Sequence, residues 1–277
     1  MKRRAQPWLG TLVAISIADP LPDAQLRALF AHAFERVAQV HRLMSFHSQD
    51  SDIARINRAP VGSVIQIDPH TMQVIEAGQM LTKASGSIFN LGCASKLVQW
   101  NLLPRHDVSL PPFCADVLAQ ALTFVGENRV CKTRALIIDL GGIAKGYAVD
   151  QAVDALLQAG VASGCVNAGG DLRVLGDTAF SVAIRNPQSI GEPAMQVALA
   201  NGALATSATY FSRRQVQKKT VSALIDGRNG AAITSAASAT VMAPSCMMAD
   251  ALTKIVLASG DPAHPLLTRF GASAFII

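Results

Sequence analysis

The chain has 277 residues, of which 50% are hydrophobic and only 16% are charged. This balance excludes an intrinsically disordered protein, and the length allows a sizeable core. No apolar stretch approaches the roughly 20 residues of a membrane-spanning helix, so we expect no stable membrane insertion. The net charge of +5 suits an anionic partner. Aromatic residues make up only 5%, which leaves few stacking surfaces for bases, so we expect no nucleic-acid partner.

The cysteines and the N-terminus bear on location. The five cysteines are odd in number, scattered and without a CxxC pair, which is typical of a reducing compartment. Residues 2–4 (KRR) precede an apolar stretch, as in a signal peptide, but no small-residue cleavage site follows it. We therefore interpret residues 10–17 as a first strand and predict a cytoplasmic protein.

Helical periodicity and glycines define the elements of the first half. Apolar residues recur at helical spacing over 23–44, and a second helix is predicted over about 69–82. The proline-rich segment 104–112 is interpreted as a surface loop or, alternatively, as a boundary between lobes. The apolar run 135–140 predicts a buried strand, which two glycines separate from a helix over about 143–159.

The second half alternates strands and loops before a final helix. A strand at 165–166 leads into a glycine-containing loop, and a helix over about 247–259 ends at Gly260. Further strands are predicted at 180–185, 196–200, 221–225, 238–242 and 272–277. Helices and strands that are mixed without strict alternation indicate an α+β fold.

The segment 138–147 (IDLGGIAKGY) is the first of three candidate sites for chemistry. A strand that ends in glycines and turns into a helix presents free backbone amides, which suit a phosphate group. Lys145 falls in the first turn of that helix. The pattern matches neither a Walker loop nor a GxGxxG fingerprint, so a plain strand-to-helix connection remains the alternative. The basic run at 213–219 also has two interpretations, a solvated loop or the rim of a binding site that attracts phosphate groups.

The other two candidate segments are 167–171 (NAGGD) and 249–254 (ADALTK). Paired glycines let a backbone approach a ligand, although a β-bulge or turn explains them equally. On a helix, Thr253 and Lys254 share the face of Asp250. A carboxylate with a hydroxyl is a partial shell for Mg²⁺, and the alternative is a helix cap at Asp250 beside a surface lysine.

Taken in order, these segments resemble the ApbE family of flavin transferases over nearly the whole chain. The matching blocks are Gly10-Thr11, 44–57 (MSFHSQDSDIARIN), 86–100 (GSIFNLGCASKLVQW), 138–150 (IDLGGIAKGYAVD), 166–171 (VNAGGD), 204–210 (LATSATY), 224–230 (LIDGRNG) and 249–254 (ADALTK). The resemblance implies a single ApbE-like, T-fold-related α+β domain over residues 1–277. It also implies transfer of FMN from FAD to a Thr or Ser of an acceptor flavoprotein, a subunit of a redox complex, with release of AMP.

The resemblance implies roles for individual residues. Asp250 matches a metal-binding Asp and Gly142 a position whose carbonyl touches the metal, so with the neighbouring Thr253 they are the expected ligands of Mg²⁺. Asp250 and Lys254 are the expected catalytic residues, although the role of Lys254 follows from its charge and not from the family. The positions that match flavin contacts in the family are Leu9, His47, Asn90, Leu91, Gly92, Asp139, Lys145 and Leu224.

Four positions depart from the family pattern. Leu9 stands where the family has Met, His47 where it usually has Tyr, and Ala223 where many members have His. Lys254 replaces a metal-ligating Thr four residues after Asp250, with Thr253 one place earlier. A protonated lysine cannot ligate a hard cation, so we expect a reduced or rebuilt metal site. Two alternatives to transfer stay open: a relative that binds or hydrolyses FAD without flavinylating a protein, and a non-enzymatic assembly factor.

Overall fold

A computed structural model describes residues 1–106, 109–115, 118–189 and 191–277. The helices, in chain order, are α1 (Asp23–Met44), α2 (Asp52–Arg58), α3 (Pro69–Ala84), α4 (Ala94–Gln99), α5 (Leu118–Ala121), α6 (Ala144–Gln158), α7 (Cys246–Ser259) and α8 (Pro265–Arg269), with a 3-10 turn at Leu91–Cys93. The strands are β1 (Lys2–Trp8), β2 (Thr11–Ile17), β3 (Val64–Gln66), β4 (Leu122–Phe124), β5 (Arg129–Lys132), β6 (Gly164–Ala168), β7 (Asp171–Leu175), β8 (Phe180–Arg185), β9 (Pro193–Leu199), β10 (Gly202–Ala208), β11 (Arg214–Val216), β12 (Lys219–Val221), β13 (Ile225–Asp226), β14 (Ala231–Ala232), β15 (Ser238–Ala243) and β16 (Ser273–Ile276).

Contacts divide the chain into two compact units built from segments that are distant in sequence. The first unit comprises Met1–His41, Ile143–Ala208 and Ala236–Ile277, and the second comprises Arg42–Gly142 and Thr209–Ser235. The alternative of a lobe boundary within 104–112 is wrong, because this segment lies inside the second unit; residues 107 and 108 fall outside the described ranges. The expectation of one domain over residues 1–277 stays a prediction.

The first unit is organised around an antiparallel sheet in the order β1-β2-β6-β7-β10-β15-β16. Successive side chains of a strand point to opposite faces, and β7 shows both faces. Arg173 bonds to Asp150 and Asp154 of α6, whereas Leu172 and Val174 pack with the β8–β9 hairpin in one apolar cluster. The sheet is therefore covered by helices on one face and by a hairpin on the other.

Small side chains of the sheet let α7 lie close to β10. The hydroxyl groups of Ser207 in β10 and Thr253 in α7 are hydrogen-bonded at 2.7 Å. Ala203 and Ala205 share the face of Ser207 and are fully buried. Because only methyl groups stand on this face beside Ser207, α7 packs against the strand with its Asp250 side buried.

The second unit contains short strands and helices. Strands β3, β5 and β4 form a small antiparallel sheet, and β11–β12 and β13–β14 are separate hairpins. The helix α2 begins at the N-cap Ser51, whose hydroxyl accepts the N–H of Ala54 at 3.0 Å. Ile53 and Ile56 of this helix are buried in the core.

The α+β class is confirmed, as are the helices predicted over 23–44, 69–82, 143–159 and 247–259. The strands predicted at 165–166, 180–185, 196–200, 238–242 and 272–277 are also confirmed, with shifts of a few residues at their ends. Within the described ranges, no helix combines the length and the apolar character that crossing a membrane requires.

The strand predicted at 10–17 is confirmed as β2, but it is not the first strand, because β1 precedes it and Leu9-Gly10 forms the turn between them. Two other strand predictions are wrong. The run 221–225 is split between β12 and β13. The run 135–140, which is buried at 136–138 and at Leu140, has no strand partner, and the side chain of Asn57 bonds to the backbone of Ile138 in place of a ladder.

Candidate active site

Two lysines and two aspartates of the first unit meet beside the turn between β6 and β7. The ammonium group of Lys145 bonds to the carboxylate of Asp171 and lies 3.8 Å from Asp250 Oδ2. The ammonium group of Lys254 donates to Asp250 Oδ1 and, at 2.9 Å, to the main-chain oxygen of the same residue. We call these four residues the lysine–aspartate quartet. It brings together three residues that the sequence predicts as site residues and adds Asp171.

Asp171 is placed by a tight hairpin turn at Gly169 and Gly170. Both glycines have positive φ angles, +65° and +109°, and Asn167 Oδ1 accepts the N–H of Gly170 at 2.9 Å. A Cβ on Gly169 would lie 2.5 Å from Thr11 Oγ1, so a side chain there would clash with β2. The NAGGD segment is therefore a turn, as one of its two interpretations held, and it delivers an aspartate to the first position of β7.

The carboxylate of Asp250 faces the N-terminus of α6. Its Oδ2 accepts the N–H of Gly146 at 3.1 Å, one of the first-turn amides that have no partner inside a helix. A Cβ on Gly146 would lie 2.2 Å from the carbonyl oxygen of Cys246, so only glycine permits this approach of α7 to α6. The positive end of the α6 dipole adds to the stabilisation of the carboxylate.

A second carboxylate fixes the start of α7. Asp150 of α6 accepts the N–H groups of Cys246 at 2.9 Å and Met247 at 2.8 Å, and Arg173 bonds to the same carboxylate at 3.1 Å. The cap residue of α7 is Ser245. Asp250 therefore does not cap this helix, and the alternative interpretation of Asp250 as a helix cap is wrong.

Neighbouring charges control protonation in the quartet. Burial lowers the pKa of Lys145, but the charges of Asp250 and Asp171 outweigh burial and hold that pKa above its usual value. Burial raises the pKa of Asp171, and the charge of Asp250 raises it further, while the two lysines offset part of the effect. Lys145 therefore stays protonated at neutral pH.

The outward face of the quartet is cationic. The carboxylate side chains of Asp250 and Asp171 are 0% and 3% exposed, whereas the side chains of Lys254 and Lys145 are 13% and 32% exposed. An ion that approaches from solvent thus meets ammonium groups before carboxylates. Such a face suits a phosphate group, because charge-assisted hydrogen bonds from ammonium to phosphate are strong.

The donor set does not fit the magnesium site that the resemblance implies. Thr253 Oγ1 donates to the main-chain oxygen of Asp250 at 2.6 Å and is paired with Ser207, and its side chain is fully buried. The metal contact implied for the carbonyl of Gly142 stays a prediction. Lys254 and the α6 amide occupy the carboxylate oxygens of Asp250. Mg²⁺ needs oxygen ligands in near-octahedral geometry, and these oxygens are engaged by N–H and O–H donors. In the part of the chain that the structure describes, no cluster of three His, Cys, Asp or Glu side chains could hold a metal ion.

In the second unit, the segment that carries Asp139 is held by the side chain of Asn57 and by one main-chain hydrogen bond. Asn57 of α2 donates to the carbonyl oxygen of Ile138 at 2.9 Å and accepts the N–H of Ile138 at 2.8 Å. The N–H of Asp139 donates to the carbonyl oxygen of Leu91 at 3.0 Å. These bonds satisfy the buried backbone that a neighbouring strand would otherwise pair.

A buried lysine supports Asn57. Lys132 donates to the carbonyl oxygens of Ile56 at 3.0 Å and Asn57 at 2.9 Å, which lie in the last turn of α2. Carbonyls there have no partner inside the helix, and a positive charge is favoured at this end. Burial lowers the pKa of Lys132.

The carboxylate of Asp139 is half-buried. Burial raises its pKa, and the amides of Gly141 and Leu140 and the charge of His47 offset part of that rise. Burial, followed by the charges of Asp139 and Asp226, raises the pKa of Cys93 to about 12. Cys93 is therefore a protonated thiol at neutral pH and a poor nucleophile.

The turn that follows α3 brings three further predicted residues to Asp139. Asn90 Oδ1 accepts the N–H of Gly92 at 2.8 Å, and Asn90 Nδ2 donates to the carbonyl oxygen of Ala115 at 2.8 Å. Leu91 joins this turn to Asp139 through the hydrogen bond given above. Asn90, Leu91, Gly92 and Asp139 thus form one cluster, with the charge of His47 acting on Asp139.

Two predicted flavin contacts lie in other local structures. Leu224 belongs to the second unit, where its carbonyl oxygen accepts the N–H of Ile233 at 2.8 Å. Leu9 belongs to the first unit and lies in the β1–β2 turn with a φ of 56°. Neither belongs to the clusters described above.

Sequence reasoning missed three residues that organise these sites. From sequence alone Asp171 receives no role, although an aspartate directly after a Gly-Gly turn is a usable signal. Asp150 lies four residues after Gly146 on the predicted helix, but its partners at the start of α7 are distant in sequence. Lys132 has no local signal, because only the structure shows that it is buried.

Together, the mixed fold and the cationic face of the first unit define a protein suited to an anionic, phosphate-bearing ligand. The comparisons with known proteins identify the family. The sequence model of the ApbE family matches residues 9–276, and the chain belongs to this family.

Relatives and solved structures agree with this assignment. The chain is 26% identical to an FAD:protein FMN transferase of Treponema pallidum, over 99% of this chain and 83% of the relative. It is 27% identical to an FAD:protein FMN transferase of Rhodobacter capsulatus, over 96% of this chain but only 53% of that protein. The fold is similar to that of the ApbE protein of Thermotoga maritima, with a TM-score of 0.85 and 23% identity over 100% of this chain and 94% of the other. The apo flavinyl transferase ApbE of Pseudomonas stutzeri gives a TM-score of 0.80 and 24% identity, over 99% and 90% of the two chains.

Proposed function

We propose that this protein transfers FMN from FAD to a Thr or Ser hydroxyl of a target protein and releases AMP. The observation that carries the proposal is the cationic outward face of the lysine–aspartate quartet in a chain of the ApbE family. Relatives from Treponema pallidum and Rhodobacter capsulatus bear the name of this activity.

The reaction exchanges one phosphoester for another. The oxygen of the acceptor hydroxyl attacks the phosphorus on the FMN side of the FAD pyrophosphate. The bond from this phosphorus to the bridging oxygen breaks, and that oxygen leaves as part of AMP. The hydroxyl proton is released to solvent, and no electrons are transferred. Such a transfer depends mainly on positioning and on stabilisation of the charge that develops on the phosphates.

The chain's own residues supply those two requirements. Lys145 and Lys254 donate hydrogen bonds to the pyrophosphate, and the buried carboxylates of Asp250 and Asp171 hold the two ammonium groups in place. The α6 dipole favours negative charge at the same end of the helix. Asp250 and Asp171 are thus positioning residues in this proposal, whereas the lysines contact the substrate.

Several finer statements stay predictions. The flavin contacts implied for Leu9, His47, Asn90–Gly92, Asp139 and Leu224 rest on the family resemblance. The acceptor as a subunit of a redox complex and the cytoplasmic location also rest on sequence alone. The resemblance implies Mg²⁺ as well, but the donor set around Asp250 favours a reaction without it, so no step above uses a metal.

Intact-mass spectrometry of an acceptor domain with a Thr- or Ser-containing flavinylation motif tests the proposal. We expect a mass gain of one FMN residue after incubation with this protein and FAD, with stoichiometric AMP. Lys145→Met should abolish the gain, and Lys83→Met, which removes an exposed lysine of α3, should leave it intact. Release of FMN and AMP without any gain across a panel of acceptors would contradict transfer and identify an FAD hydrolase, with water in place of the hydroxyl.

A further inference from the structure

We propose that the ammonium group of Lys254 takes the place of a divalent cation in this protein, so that Lys254 and Lys145 together bind the FAD pyrophosphate without metal. This inference deepens the proposed function and rests on it. It assigns to Lys254 a substrate-binding role that the ApbE family relationship does not supply.

The position of Lys254 is the first argument. Residues four apart on a helix are neighbours, and Lys254 lies on the side of α7 that carries Asp250. Its ammonium group contacts both the carboxylate and the main-chain oxygen of Asp250. A metal ion bound to this carboxylate would have to displace the ammonium group of Lys254. The side chain of Lys254 is only 13% exposed, so the group has little room to move away.

The donors of Lys254 give the second argument. An ammonium group has three N–H donors and no acceptor. Lys254 directs two of them at Asp250, so one donor is left for a ligand. Asp250 has no exposed side-chain surface, whereas the lysine has some, so the ligand meets the lysine.

The balance of charge gives the third argument. The quartet contains two ammonium groups and two carboxylates, which makes it formally neutral. A divalent cation at Asp250 would add two positive charges beside Lys254 and next to Lys145, whose ammonium lies 3.8 Å from the same carboxylate. Like charges at such separations repel, and burial strengthens the repulsion. The pyrophosphate of FAD carries negative charge, and its approach to the ammonium groups is favoured instead.

The engaged hydroxyl of Thr253 gives the fourth argument. This residue is the only hydroxyl of the ADALTK segment, and it is bonded to Asp250 O and to Ser207. Because the hydrogen of Thr253 goes to Asp250 O, its oxygen accepts from Ser207, and a metal ion would compete with that hydrogen bond for the oxygen of a fully buried side chain. The segment therefore offers a cation no second oxygen that is free of a hydrogen-bond partner.

Titration of the wild-type protein with FAD, followed by fluorescence anisotropy, tests the inference. We expect the dissociation constants in excess EDTA and in excess Mg²⁺ to agree within about threefold. A constant that is about tenfold or more tighter in Mg²⁺ would overturn the inference.

Two substitutions at the same position separate charge from metal binding. Lys254→Met keeps the length of the side chain without its charge, and we expect FAD binding to weaken by about tenfold or more in both buffers. Lys254→Thr supplies a hydroxyl, and we expect binding to weaken in EDTA and to recover in Mg²⁺. Lys83→Met is the matched control and should bind FAD as the wild type does. Circular dichroism establishes that each variant is folded, and wild-type affinity of folded Lys254→Met in EDTA would contradict the inference.

Electron paramagnetic resonance of Mn²⁺ gives a readout that does not involve FAD or transfer. We expect wild-type protein to leave Mn²⁺ free and Lys254→Thr to retain it. Retention by the wild type that is lost in Asp250→Ala would overturn the inference while leaving the proposed function intact. FAD that binds in neither buffer would instead contradict the proposed function itself.

Discussion

The two units place their charged side chains by different means. In the first unit, Asp171 follows a tight turn at the start of a strand, and Asp250 faces the first turn of α6. In the second unit, Asp139 lies on a buried segment without regular structure, held by the side chain of Asn57 and, behind it, by Lys132. The first unit thus uses the ends of regular elements, whereas the second uses side chains that bond to the backbone.

This difference has a consequence for robustness. The ends of helices and strands offer several amides and carbonyls at once, and the quartet adds mutual ion pairs. The Asp139 segment depends on a short relay of single residues, from Lys132 through Asn57 to Ile138. We therefore expect substitutions in the first unit to destabilise the protein most where a buried charge loses its partner. In the second unit, we expect substitution of Lys132 or Asn57 to weaken the attachment of the Asp139 segment.

The largest effect is expected for Asp250→Ala. It leaves two lysine ammonium groups without their shared carboxylate and the Gly146 amide without its acceptor, and breaking a buried pair in this way costs about 3–5 kcal/mol. Urea denaturation measures the free energy of unfolding. Asp154→Ala, at a half-exposed carboxylate, is the control, with an expected change below about 1 kcal/mol. Adding Lys254→Met to Asp250→Ala should recover part of the loss, and strict additivity of the two changes would argue against the quartet.

The next effect concerns the contact between α6 and α7. An alanine inside a helix is normally more stable than glycine, but a Cβ at Gly146 would lie 2.2 Å from a backbone oxygen. We expect Gly146→Ala to destabilise the protein by about 3 kcal/mol, since a backbone cannot move aside as a side chain can. Thermal unfolding measures the loss. Gly191→Ala, where nothing lies within 4 Å, should change stability by less than about 0.5 kcal/mol. Equal stability of the two variants would contradict the close packing.

Lys132→Met tests the relay of the second unit. It leaves two buried carbonyls unpaired, which costs about 1–3 kcal/mol. Burial lowers the pKa of Lys132, so the folded state binds fewer protons than the unfolded state between that lowered pKa and the usual value near 10.5. Wild-type stability gained from this group therefore rises with pH in that window. We expect the difference in the free energy of unfolding between the wild type and Lys132→Met to be larger at pH 10 than at pH 7. A difference that becomes smaller at pH 10 would contradict the lowered pKa of Lys132.

The smallest effect is expected for Asp139→Asn. Because the pKa of Asp139 is raised, the folded state binds more protons than the unfolded state above the usual value of 3.8, and this group disfavours folding at neutral pH. The variant should be more stable than the wild type at pH 7 by less than about 1 kcal/mol, and the difference should shrink towards pH 4. Urea denaturation at both pH values measures it. The prediction fails if the variant is less stable at pH 7.

The same difference between the units explains what the sequence could reveal. Periodic apolar residues predict helices such as α1, α6 and α7. The positions of Lys145, Asp250 and Lys254 can be predicted because these residues lie on two of those helices. The burial of Lys132 and the bonds from Asn57 to Ile138 have no local pattern, because each joins residues that are far apart in the chain. The apolar run 135–140 predicts a strand that the structure does not contain, because apolar character indicates burial and not the source of the hydrogen bonds.

The predicted metal site around Asp250 also shows what the sequence cannot reveal. The sequence places Thr253 and Lys254 on the face of Asp250, which allows a hydroxyl ligand and an ammonium group alike. Only the structure shows that the hydroxyl is turned to the helix backbone and to Ser207, while the ammonium group lies on the carboxylate.

The central claim is that Lys145 and Lys254 bind the FAD pyrophosphate without a metal ion. Its most direct test is intact-mass spectrometry of the acceptor after incubation with this protein and FAD in excess EDTA. The account predicts a gain of one FMN residue with the wild-type protein and none with Lys145→Met or Lys254→Met. A gain that appears only when Mg²⁺ is restored, or that persists in both lysine variants, would contradict it.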